Sequence, residues 1–197
     1  YEVLGALTTG SNNVAIGGYA LDAVTTSADN TAVGANALGA NTAAGNTAVG
    51  VNSLLANTTG VENVAVGYYA LATQTTGESN TAVGYRALDV DTTGGHSVAI
   101  GMDALGANTT AHFNVAVGKK ALLVNTTGAG NTALGYQALD ANTTATGNTA
   151  VGYNALTANT TGDYNTVVGY QAGESLTTGA DHAFLGTGAG ANITTGN

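Results

Sequence analysis

The sequence has no cysteine, no proline and no tryptophan, and only 3 of its 197 residues are lysine or arginine. Without cysteine there is neither a disulfide framework nor a thiolate metal site. Three basic residues cannot neutralise a phosphate backbone, so no nucleic acid is expected as a partner. They also leave no basic face to lie on anionic lipid. No apolar run reaches the roughly 18 residues of a membrane-spanning helix, so no membrane insertion is expected. The opening Tyr1-Glu2-Val3-Leu4-Gly5 does not read as a signal peptide. Large core residues are scarce, with two Phe and one Met. Charge is scarce too: 12 acids against 3 bases give −9, and charged residues make up 8% of the chain. Disorder is nevertheless disfavoured, because disordered chains are poor in the Val, Leu and Ala that abound here.

What the chain does have is a repeat. Aligned on Asn-Thr-Ala-Val-Gly, units start at Asn13, Asn30, Asn46, Asn63, Asn80, Ser97, Asn114, Asn131, Asn148, Asn165 and His182. The step is 17 residues, with one of 16 between Asn30 and Asn46. Residues 1–12 read as a shortened copy, with Val3, Leu4 and Gly5 in the third to fifth places. Position four is always Val, Ile or Leu, as at Val66, Val83, Val117 and Val151, and position five is always Gly, as at Gly67, Gly84, Gly118 and Gly152. Position nine is Leu, including Leu71, Leu88, Leu122 and Leu156, until Gly173 and Gly190 replace it.

A 17-residue unit is too short for a helical hairpin and lacks the 3.6-residue apolar period. Short strands bounded by Gly turns fit. The reading is all-β: a parallel β-solenoid with about 17 residues per coil, a single repeat domain over 1–197 of about twelve coils. Thr-Ala-Val is one strand, Ala-Leu a second, and Asn-Thr-Thr-Gly the outer turn. The invariant Gly needs a positive φ or a close approach between coils. Stacked about 4.8 Å apart, twelve coils make a rod of roughly 55–60 Å.

Each coil supplies one Val-type residue, one Leu and two or three Ala, a thin core for one chain. Alternation along the strand puts Ala on one face and Thr or Val with Val on the other. The expectation is that the Thr/Val face fills the coil while the Ala face packs against another copy, in a homotrimer about a three-fold axis.

The string Ser97-Val98-Ala99-Ile100-Gly101, with Asn13-Val14-Ala15-Ile16-Gly17 and Asn63-Val64-Ala65-Val66-Gly67, resembles the head repeats of trimeric autotransporter adhesins. The resemblance covers about residues 1–190. It implies trimers of left-handed parallel β-rolls whose strand residues fill both the roll and the trimer axis. The added Asn-Thr-Thr-Gly turn makes this unit longer than the family's, and similar to repeats of phage tail fibres and large bacterial surface proteins. The chain then reads as a segment of a longer fibre.

Candidate sites are few. His96, His112 and His182 fall at unlike coil positions, so no convergent metal site is expected. The acids are scattered, and the Gly-Gly-x-Gly-x-Asp calcium repeat is absent. Arg86, Lys119 and Lys120 sit at positions six and seven and read as solvated. Tyr68, Tyr85, Tyr136, Tyr153 and Tyr170 share position six, an aromatic ladder suited to stacking on sugar rings or to covering the rod. Thr58, Thr75, Thr92, Thr109, Thr126, Thr143 and Thr160 share position thirteen and form a candidate surface-binding ladder. The Asn-Thr-Thr sequons at Asn57, Asn108, Asn125, Asn142 and Asn159 read either as glycosylation acceptors or as buried Asn ladders. No nucleophile–base pair, phosphate loop or cofactor fingerprint appears, so neither catalysis nor a cofactor is expected.

The expected function is the structural and adhesive rod of an extracellular fibre, on a cell surface or a virion. Its partners would be its own copies and a host surface, matrix or glycan. Two alternatives stay open: a filament subunit stacking end to end, and an ice-binding protein using the Thr ladder.

Overall fold

The computed structural model describes residues 3–196 and shows a parallel β-solenoid of about ten turns without helix. Eleven three-residue strands, from β1 (Val14–Ile16) and β2 (Thr31–Val33) to β11 (Ala183–Leu185), form one sheet in sequence order. All pairs are parallel and in register, so that Val66 faces Val83 and Ala82 faces Ala99. Ten steps at one strand spacing give a stack about 48 Å long.

Each coil carries one strand, not the two expected. The Ala-Leu segment is a chain of turns because positions seven and nine have positive φ, as at Arg86 (φ 52°) and Leu88 (φ 53°). Two left-handed residues so close together forbid a strand. Hydrogen bonds still run along the rod here: Leu88 N–H donates to Ala104 O and Arg86 N–H to Tyr68 O. The coil is thus laced to both neighbours well beyond its strand.

The Gly at position five meets both requirements. At Gly67 φ is +140°, and a Cβ would lie 2.3 Å from the carbonyl oxygen of Gly84. A side chain at this corner would collide with the next coil's backbone.

The strand's two faces are the reverse of the expectation. Position-three Ala points inward and is fully buried from Ala32 to Ala150. Opposite it stand Ala or Ser at position eight and Leu at position nine, also fully buried. With Leu occupying that interior, only a methyl group fits on the strand side. The Thr/Val face therefore looks outward.

Two buried amide ladders complete the interior. Asn63, at position one, donates to Gly77 O across its own coil, while Asn80 N–H donates to its Oδ1. Asn57, at position twelve, donates to Gly60 O and to Asn41 Oδ1. Both ladders thus hold the carbonyl of position fifteen and fix the outer turn.

Irregular coils keep these rules. The 16-residue unit drops one residue in the outer turn: Asn30 reaches Ala43 O, and the strand register Thr31 with Thr47 is untouched. In the last coils, core volume moves. A Cβ on Gly173 would lie 3.3 Å from Phe184 and 3.4 Å from Val167, which stand where Ala stood, and Leu176 fills the Asn position.

The amino-terminal copy is placed differently than expected. Leu4 has φ 56° and its N–H donates to Ala20 O, as Leu21 N–H does to Ala37 O. Leu7 N–H donates back to Leu4 O, as Asn41 does to Leu38. Leu4 therefore occupies position nine, Gly5 position ten, and described residues 3–12 are the second half of a coil, not a shortened whole one.

Candidate functional site

The Val ladder is a surface. Position two and position four alternate outward along all eleven strands, with Ile16 61% and Leu134 47% exposed. Val66, Val83, Val117 and Val151 belong to this strip and are half-buried. The signal for this was present in the sequence. Ala is the only type that recurs at position three over most units, and the face holding one small residue is the one facing a confined interior.

The Tyr ladder forms two stacks. Tyr68 and Tyr85 lie with ring centres 5.7 Å apart and planes at 5°. Tyr136, Tyr153 and Tyr170 stack at 5.1 and 5.2 Å, with planes at 11° in each pair. Met102 and Lys119 occupy position six between the two stacks. These rings are about half exposed, so their faces cover one another and their edges meet solvent.

The position-thirteen Thr ladder is tied down. Each hydroxyl donates to the next coil's carbonyl: Thr58 to Thr75 O at 2.9 Å, Thr75 to Thr92 O at 3.0 Å, Thr92 to Thr109 O at 3.0 Å. Thr109, Thr126, Thr143 and Thr160 continue the series at 3.0–3.2 Å. The outward Thr of each pair is at position fourteen, where Thr59, Thr76 and Thr93 are exposed. Asn57, Asn108, Asn125, Asn142 and Asn159 are fully buried and use their amide hydrogens inside the rod. That leaves no acceptor amide for a glycan in the folded coil.

The three His are engaged separately. His96 stacks on Phe113 with ring centres 5.3 Å apart, His112 Nδ1 accepts from Gly95 N–H, and His182 Nε2 lies 2.7 Å from Gly196 O. Among the described residues no three His, Asp or Glu converge in a way that could hold a metal. No helix among them is long and apolar enough to cross a membrane.

Two features were not legible from the repeat. One is a fault in the position-twelve ladder. Gln74 and Asp91 replace Asn there, and Asn57 Oδ1, both Gln74 amide atoms and Asp91 Oδ2 are buried without partners. Burial pushes the Asp91 carboxyl up to about 7, against hydrogen bonds from Gly94 and Asn108 that pull it down.

The other is a set of cavities where position seven overhangs positions ten and eleven. One of them, of about 470 Å³, is lined by Tyr68, Tyr69, Tyr85 and Arg86 together with Leu55, Ala72 and Val90. Arg86 Nε holds Asp89 Oδ2 at 2.7 Å across it. Tyr69 (φ 56°) and Arg86 (φ 52°), the position-seven residues of this cavity, both have left-handed backbone. Of its lining only Tyr68 and Tyr85 belong to a ladder; Tyr69, Arg86, Asp89 and Val90 stand at positions whose residue changes from coil to coil.

Compared with protein families, with curated proteins and with solved structures, the chain matches none.

Proposed function

We propose that this chain is the structural and adhesive rod of an extracellular fibre, assembled as a homotrimer of β-rolls in the manner of adhesin heads and tail-fibre shafts. The observation that carries this reading is the outward Thr/Val strip. It is two outward residues wide and eleven strands long, with Val, Ile or Leu at position four of every strand. It is regular and made mostly of β-branched residues, whose side chains lose little freedom on packing. Three such strips meeting on an axis bury one another and give the thin coils a shared core. An acidic, Lys-poor surface keeps the resulting fibres apart.

Light scattering tests it. A mass three times 19.1 kDa supports the trimer, and the double variant Val66→Lys, Val117→Lys then runs as a monomer. A parent of 19.1 kDa overturns the trimer. A mass that climbs with concentration supports end-to-end stacking in its place.

A further inference from the structure

We propose that the overhang between position seven and positions ten and eleven is one continuous groove that binds a linear, neutral polysaccharide. This deepens the adhesive reading and rests on it. Three cavities of about 390, 470 and 340 Å³ run along the same corner of the rod. They share their end residues: Leu55 and Ala56 close the first and open the second, while Arg86 and Asp89 close the second and open the third. The three cavities therefore adjoin one another from Tyr19 to Val124, over seven coils, or roughly 29 Å at one strand spacing per coil.

Its chemistry selects the occupant. The floor is aliphatic, with Leu55, Val90 and Leu123 as its largest members, and the wall carries Tyr rings beside planar polar groups. Aromatic and aliphatic surfaces take the apolar faces of pyranose rings, and planar side chains hydrogen-bond their rim hydroxyls. Arg86 and Asp89 present such groups, their ion pair leaving the other guanidinium nitrogens to donate and Asp89 Oδ1 to accept. A pyranose ring is about as long as a coil is thick, so each sugar of a linear chain spans about one coil.

Other linear partners fit worse. An extended peptide docks by pairing with a strand edge, and here the backbone N–H groups of positions seven, nine and eleven are spent between coils, as at Arg86, Leu88 and Ala107. A polyanion meets Asp22, Asp89 and Asp103 in the groove and a net charge of −9.

The test is native affinity electrophoresis of the full chain through gels cast with laminarin, xylan, mannan or dextran, and with heparin and gelatin as the anionic and polypeptide probes. The expected result is retardation by at least one neutral polysaccharide. Its dissociation constant weakens ten-fold or more in Tyr69→Ala with Arg86→Ala, and stays put in Tyr153→Ala, outside the groove. Should the double variant lose its fold by circular dichroism, Val90→Lys charges the exposed floor without touching the core and weakens retention likewise. Free passage through every neutral gel, retention indifferent to the groove variants, or groove-dependent retention by heparin or gelatin overturns the proposal. The same variants on surfaces coated with matrix protein or cells separate the two readings. Adhesion that survives them keeps the fibre and sinks the groove if polysaccharide binding is also absent. Polysaccharide binding with no adhesion to any surface sinks the adhesive reading and keeps the groove.

Discussion

At the scale of the residue, the backbone sets the strictest demands. Gly67 combines φ +140° with a neighbour's carbonyl 2.3 Å from where a Cβ would stand. Gly67→Ala therefore strains the backbone and forces two coils apart, and an expected loss of about 3 kcal/mol or more places it among the severe single substitutions. Urea unfolding against the parent checks this. That Gly was readable in the sequence, because only one residue type tolerates the position. The left-handed Leu at position nine was not, since burial overrides a local preference worth about 1–2 kcal/mol. Asp91 gives a pH test. Its folded carboxyl titrates near 7 and its unfolded one near 3.8. The folded state therefore holds a proton that the unfolded state releases, and stability falls as pH rises between those values and levels off above them. The drop is on the order of 4 kcal/mol. Asp91→Asn removes the slope and raises stability at pH 8, read from thermal midpoints measured from pH 4 to 8. A parent whose midpoint is flat over that range contradicts the assignment.

At the scale of the element, the coil is closed by amides more than by its strand. Asn148 donates to Gly162 O, and its Oδ1 accepts from both the backbone and side chain of Asn165. Truncating it to Ala leaves the buried Asn165 N–H without an acceptor, and an unsatisfied buried group costs about 1–3 kcal/mol. Thr161→Ala, at the exposed position fourteen of the same turn, is expected to change stability by no more than about 0.5 kcal/mol. The pair of unfolding curves separates a ladder that holds the fold from one that decorates it. The strand and its parallel stacking were legible from the repeat alone. The second strand does not form, because the Ala-Leu pair carries strand-compatible side chains on a backbone that alternates its handedness. Alternation shows that the strand's two faces differ but not which one the Leu opposite leaves room for; only the near-constant Ala at position three marks the inner face. The candidate site was less legible still. The Tyr stacks follow from a shared position, but the groove depends on Arg86, Asp89 and Tyr69 meeting across three coils, and periodicity carries no information about residues that differ from coil to coil.

At the scale of the whole molecule, a rod made of near-identical coils stores its stability in neighbour contacts. The phase of the repeat then matters more than its number. Deleting residues 131–147 removes one full coil, so that Asn148 N–H meets Asn114 Oδ1 and Val151 stacks on Val117, as each now does with the coil between. Every buried ladder continues across the join. Deleting residues 131–139 instead follows Gly130 with Asp140, and loses one strand, one buried Leu and the position-one Asn from the middle of the stack. The carbonyls and amides of the flanking coils then face nothing, and both halves expose interior Ala and Leu. The longer deletion is expected to keep the parent's β spectrum and a single cooperative melt a few degrees lower. The shorter one is expected to melt in two steps or to fall to limited proteolysis near residue 130. If the two deletions melt alike, stability does not reside in like residues standing on like, and the solenoid account of this sequence fails with it.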